Sequence, residues 1–192
     1  ASVYRNWFKG VDFSGDNRFG DGFIYQAWEG HEELPELNLQ NPEVREHLFG
    51  AVAQMIDVFE IDGLRLDVAY ALPPDFLRQL REFTAGDGRS VQTGWADGTV
   101  SSAPVGGADN GTQDNQSVRV HCREEFFLLG EMIHGEYRRF AAETGLHSLT
   151  NYETYKALWS AHNDGNYFEL AHSLERNFSE GRPGNDRGPV LY

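Results

Sequence analysis

Cysteine and lysine are nearly absent from the 192 residues: one Cys122, and only Lys9 and Lys156. A single cysteine excludes an internal disulfide framework. Acidic residues number 30 against 16 basic ones, for a formal net charge of -14. A surface of that sign repels phosphate backbones and anionic lipid, so neither nucleic acid nor a membrane is an expected partner. Long hydrophobic runs are missing as well; none approaches the roughly 18 consecutive apolar residues of a membrane helix. The opening ASVYRNWFKG lacks the apolar stretch of a signal peptide. One cysteine and no visible signal favour the cytoplasm over export. Sequons at Asn110, Asn115 and Asn177 are too short to alter that. What the chain does have is apolar and aromatic content, 40% and 13%, enough to build a real core. A neutral substrate is the natural counterpart of such a surface. The acidic, lysine-poor balance also suits a salt-rich habitat, or reflects lineage alone.

Residues 1–40 are rich in Gly, Asp and aromatics without a helical period, and read as irregular loops. The aromatics there either stack on the apolar face of a sugar or pack a small subdomain. From Asn41 the pattern changes. Asn41 is an N-cap, Pro42 takes the first helical position, and Glu43 suits the positive end of the dipole. Val44, Leu48, Val52, Met55, Ile56 and Phe59 recur at helical spacing, predicting a helix to about Glu60. In IDGLRLDVAYAL, Leu64, Leu66 and Val68 alternate with Arg65 and Asp67. A strand would put the apolar set on one face and the charged pair on the other, until Pro73 and Pro74 stop it. PDFLRQLREF is a second helix, with Phe76, Leu77, Leu80 and Phe83 on one side.

Residues 85–117 are poor in apolar side chains and dense in Gly, Ser, Asp and Asn. They are predicted to form a disordered or loosely packed low-complexity insertion, to which no chemistry is assigned. Phe126 to Leu129 is a continuous apolar run, predicted to be a strand buried on both faces and ending in Gly130 and Glu131. EYRRFAAETG reads as a helix and LHSLTNYE as a third strand. Helices broken at Asn163-Asp164-Gly165 follow, and the tail SEGRPGNDRGPVLY reads as loop. Strands thus alternate with helices, the pattern of an α/β fold with a parallel sheet. Three core strands are too few for a closed barrel of about 250 residues, so the chain reads as a slice of one.

In parallel α/β barrels the chemistry sits at the carboxyl ends of the strands. Asp67 ends one strand and Glu131 the next. Two carboxylates on adjacent strands are what glycoside cleavage needs: one attacks the anomeric carbon, the other protonates the leaving oxygen. Arg65 shares a strand face with Asp67, and its guanidinium is expected to keep that carboxylate ionised. Burial after the apolar run is expected to raise the pKa of Glu131 and hold it protonated. Arg65 and Asp67 read equally well as an ion pair that only organises the sheet. Asp12, Asp16 and Asp21 lack EF-hand spacing and read as a solvated acidic loop; no metal or cofactor site is identified.

GLRLDVAYAL resembles the nucleophile-bearing G-x-R-x-D segment of the α-amylase superfamily. LLGEMIHG resembles that family's acid/base segment around G-E, and LPELN at 34–38 resembles its short motif near the end of the B domain. All three occur in the family's order. The resemblance implies a partial (β/α)8 TIM barrel over 41–192, about strands four to six, preceded in 1–40 by the end of a B domain. It implies retaining cleavage of α-1,4-glucan, with a covalent intermediate on Asp67 and Glu131 as acid/base. Arg65 would orient the nucleophile, with His134 and Tyr70 beside the sugar; His134 reads equally as a loop histidine bonding backbone. An oligo- or polysaccharide is the implied partner. Transfer to another sugar, or a non-catalytic amylase-like module, are the alternatives. Many members carry Lys-His where Tyr70 and Ala71 stand here. The family's third-strand Asn and His segment, which brings calcium ligands, and its seventh-strand Asp after His are not among the 192 residues. Calcium is therefore left to a longer protein, and the piece alone is expected to be inactive.

Overall fold

The computed structural model describes residues 2, 4–85, 126–178 and 190–191. The predicted insertion lies outside them, apart from Ala85. The described residues divide into two units, one running up to Phe59 and one starting at Glu60.

In the first unit, residues up to 41 are irregular, as their composition requires. Short 3-10 turns at Arg5–Trp7 and Trp28–Gly30 are joined by isolated antiparallel bridges, Phe8 to Leu37, Asp12 to Ile24 and Ala27 to Pro35. The aspartates bond their own loop: Asp12 accepts from Ser14, Asp16 from the Asn17 and Gly22 amides, and Asp21 from the Asn17 side chain. Helix α1 then spans Pro42–Phe59. Asn41 Oδ1 accepts the Glu43 amide at 2.9 Å, the expected cap. Its buried stripe is Val44, Phe49, Ala53 and Ile56. Met55 and Phe59, predicted on the apolar face, are exposed, because the stripe runs one position beside them.

The second unit is built on a sheet of four parallel strands in sequential order. These are β1 (Gly63–Leu66), β2 (Phe127–Gly130), β3 (Ser148–Leu149) and β4 (Val190–Leu191). Between and after them run α2 (Pro74–Thr84), α3 (Tyr137–Thr144), α4 (Tyr152–Asp164) and α5 (Tyr167–Phe178). Parallel neighbours require such crossovers. Helix α2 packs on α3, and α4 on α5. Leu77, Leu128 and Leu149 are fully buried, each worth about 1.5–3 kcal/mol relative to exposure. Gly165, at φ 67°, ends α4 in the left-handed region and separates it from α5.

Three expectations are corrected. The tail contributes a strand, β4, which pairs with β3; two of the described residues enter the sheet, too few to show a period. Strand β1 ends at Leu66 and does not continue to the prolines, because Val68 (φ 48°, ψ 40°) turns the chain into a 3-10 turn at Ala69–Ala71. Strand β2 is not buried on both faces. Phe127 is 37% exposed, its ring stacked 5.4 Å from that of His147.

Strand β1 lies so close to β2 at Gly63 that only glycine fits there, and Gly130 is enclosed by side chains of the turn after β1 and of the β3 segment. A Cβ on Gly63 would lie 2.3 Å from the Phe127 carbonyl oxygen. One on Gly130 would meet Leu146 at 2.7 Å, Leu149 at 3.0 Å and Ala69 at 3.1 Å. Gly63→Ala is expected to destabilise the chain by at least the 1–3 kcal/mol or so typical of overpacking, since the obstacle is backbone; a denaturant titration measures this. His147 supplies a pH dependence. Its Nδ1 accepts the Leu128 amide at 3.0 Å, and burial followed by the Arg81 charge lowers its pKa. The unfolded chain therefore takes up the proton first as pH falls. Stability should be full above about pH 6.5 and decline as pH falls below it toward the lowered folded value. His147→Gln should flatten that part of a stability-against-pH curve.

Candidate active site

Register brings the two sequence-identified carboxylates together. Leu66 pairs with Gly130, and one residue further on the Glu131 amide donates to the Leu66 carbonyl at 2.8 Å. Asp67 and Glu131 therefore leave the sheet side by side, at the carboxyl ends of β1 and β2. Thr150, just past β3, fixes the next residue. Its amide donates to the Gly130 carbonyl at 3.0 Å, and its hydroxyl accepts the Met132 amide at 2.9 Å.

Arg65 sits between the carboxylates. Its Nη2 is 3.2 Å from Asp67 Oδ1 and 2.8 Å from Glu131 Oε1. One nitrogen holding both oxygens limits their separation to the sum of two short contacts. That bound, on one oxygen of each group, is compatible with the 5–5.5 Å or so between the carboxyl groups of retaining glycosidases. The carboxyl groups of Asp67 and Glu131 are also within hydrogen-bonding reach of each other. Asp67 is open to solvent, with 76% of its side chain exposed, whereas Glu131 retains 13%.

Glu131 is the most heavily bonded group of the site. The Val68 amide donates to Oε2 at 3.1 Å, and the Tyr152 hydroxyl donates to Oε1 at 3.0 Å. These bonds, the Val68 amide foremost, with Asp67 and the Arg65 charge, outweigh the desolvation and lower the pKa of Glu131. The expectation that burial holds Glu131 protonated is thereby corrected. Burial is present, but the donors aimed at the carboxylate win.

Neither strong donor was found by sequence reasoning. Val68 acts through its backbone, and a β-branched residue gives no hint that it will turn left-handed, a conformation costing of the order of 1–3 kcal/mol. The sequence pattern places Tyr152 near the end of the third strand. It is in fact the first residue of α4, three beyond the end of β3, and the rule that strand carboxyl ends carry the chemistry would have flagged it. Tyr70 and His134 do meet, with ring centroids 6.4 Å apart. The loop carrying His134 is tied down by Arg176 on α5, whose Nη2 donates to the Gly135 carbonyl and to Glu136 Oε1, each at 3.1 Å. Among the described residues, no group of three or more His, Cys, Asp or Glu could hold a metal ion. No described helix is long and apolar enough to cross a membrane.

A parallel α/β sheet with carboxylates gathered where adjacent strands end is the arrangement of barrel glycosidases. Comparison with known proteins agrees: residues 2–180 match the family model for the α-amylase catalytic domain, and the chain belongs to that family. It is 29% identical over 182 residues to a cyclomaltodextrinase of Bacillus sp., covering 88% of this chain and 32% of the relative. It is 33% identical over 169 residues to neopullulanase 2 of Thermoactinomyces vulgaris, covering 83% and 26%. Among solved structures, the ligand-free cyclic α-maltosyl-(1→6)-maltose hydrolase of Arthrobacter globiformis matches with a TM-score of 0.63 at 22% identity, covering 99% of this chain and 35% of that one. That likeness shows the fold. The chain thus spans about a quarter to a third of the length of these relatives.

Removing the guanidinium would leave two neighbouring carboxyls without their shared cation. Arg65→Gln is therefore expected to move the Glu131 titration upward, toward or beyond the ordinary carboxylate range. Carbon-detected NMR of the labelled side-chain carboxyls reads this directly. An unmoved titration would show that Arg65 does not bear on Glu131.

Proposed function

We propose that this chain carries the nucleophile and the acid/base of a retaining α-glycoside hydrolase acting on α-1,4-glucan by double displacement. The observation that carries the reading is the single Arg65 nitrogen bonded to both carboxylates, a spacing suited to retention. Asp67 attacks the anomeric carbon while Glu131 gives its proton to the leaving glycosidic oxygen. The Asp67 ester then loses its sugar to a water whose proton Glu131 takes. Arg65 orients Asp67, and Tyr70 and His134 line the sugar's approach. The names of the relatives, cyclomaltodextrinase and neopullulanase among them, support a neutral maltooligosaccharide, linear or cyclic, as substrate. The net charge of -14 is no obstacle to such a ligand. In this reading β1, β2 and β3 are the fourth, fifth and sixth barrel strands, and β4 takes the place of the seventh. Residues 1–40 are the end of the B domain.

Glu131 must enter the cycle as an acid, yet its protein neighbours favour the carboxylate. Sugar filling the site excludes water and raises the cost of the charged form, which restores the proton. Once Asp67 is esterified its negative charge is gone, and Glu131 returns to the carboxylate that the second step requires.

The test uses the full-length protein with maltooligosaccharide. Asp67→Asn and Glu131→Gln are each expected to lower kcat by about two to four powers of ten or more. NMR of the first-formed product should show the α-anomer. Near-native turnover in either variant, or a β-anomeric product, would overturn the assignment.

A further inference from the structure

Three groups donate to or pair with the Glu131 carboxylate from outside its own strand: Arg65 from β1, the Val68 amide from the turn after β1, and Tyr152 from the start of α4. Asp67 is the remaining ionisable neighbour. These partners are not equivalent. A guanidinium and a backbone N–H only donate, so they fit a carboxylate and lose a bond when the oxygen they face is protonated. A phenolic hydroxyl both donates and accepts. It can give its hydrogen to the carboxylate and, with a rotation about its C–O bond, accept the hydrogen of the carboxylic acid; the first bond is charge-assisted and the stronger of the two, so both states are held but the carboxylate is favoured.

Resting on the reading of Glu131 as the acid/base, we propose that Tyr152 is a positioning residue that keeps Glu131 in place in both of its protonation states. The hydroxyl stands 3.0 Å from Oε1, the oxygen that also faces Arg65. It is placed by helix geometry and not by a loose loop. Asn151 caps α4 by accepting the Thr154 amide at 3.1 Å, and Tyr152 is the first residue inside. Tyr152 is 39% exposed and bonds Oε1, whereas the Val68 amide grips the other oxygen. A sugar arriving from solvent therefore meets Glu131 with Tyr152 alongside. The perturbation is mutual: the Glu131 bond raises the pKa of Tyr152, so the phenol remains a hydrogen donor through neutral pH. The lowering of the Glu131 pKa includes the Tyr152 bond after that of Val68.

Removing only the hydroxyl tests this. In the full-length protein, Tyr152→Phe should raise the upper pKa of the kcat/KM profile, which reports the acid in the free enzyme, by roughly half a unit to one unit. It should lower kcat about tenfold with KM changed less than twofold. Carboxyl NMR should show the Glu131 titration moving up by the same amount, with the spectrum elsewhere unchanged. A loss confined to KM with an unmoved upper limb would make Tyr152 a sugar contact and overturn the proposal. So would an unmoved Glu131 titration in a folded variant. The underlying reading fails separately: if Glu131→Gln retains turnover, Glu131 is not the acid/base, while the NMR comparison still decides whether Tyr152 governs its proton.

Discussion

The site depends on how closely β1 and β2 lie and on the register that closeness imposes. Gly63 is pressed on the Phe127 carbonyl, Gly130 is enclosed by Leu146, Leu149 and Ala69, and β1 and β2 align Gly63 with Phe127. In that alignment Leu66 faces Gly130, and the ladder carries one bond further, from the Glu131 amide to Leu66. A slip of one residue would turn Arg65 and Asp67 to the opposite face, because strand side chains alternate. The carboxylates would part, and the cation between them would have nothing to bridge. The close approach at Gly63 thus helps to set where the charges stand, independently of any attraction between them.

Much of this was legible in the sequence because it rests on period and spacing. Alternation in GLRLD puts Arg65 and Asp67 on one face, and their 3.2 Å contact follows from it. A Gly-Glu after an apolar run places an acid at a strand's carboxyl end, and Glu131 is there. Helix α1 begins at its Asn-Pro signal, and the break between α4 and α5 falls at its glycine. What was not legible depends on tertiary context. Strand β4 is two residues paired at an edge, a length that leaves no pattern. The exposure of Phe127 reflects a ring lying on His147 rather than a strand covered on both sides. The grip of Val68 on Glu131 comes from a backbone amide, which every residue but proline possesses, so residue type carries no trace of it.

The ionisation of Glu131 shows how a local rule can be applied correctly and still mislead. Burial disfavours charge, and the sequence does place Glu131 where burial is high. Desolvation opposes ionisation in the folded protein as well, but hydrogen bonds from oriented donors oppose it at contact distance. The overall charge of -14 acts in the same direction as desolvation and matters less. Spread over the surface and screened beyond about 8–10 Å, it cannot compete with donors at 2.8–3.1 Å. Counting charges along the chain therefore says little about the protonation of one carboxylate, which is decided by four neighbours.

Val68 unites these threads. Its left-handed backbone ends β1, begins the turn that buries Ala69 against Gly130, and aims its amide at Glu131. Glycine would adopt that conformation without strain, yet it would also let the turn relax. A β-branched residue is stiff, so the strain of the order of 1–3 kcal/mol is tolerated only while the surroundings hold the turn in place. The bond to Glu131 is part of that hold. Strand end, strained turn and acidic side chain therefore stabilise one another, and loosening any of them would release the other two. The carboxylate is positioned by the same packing that terminates the strand, which is why fold and candidate chemistry cannot be separated at this point of the chain.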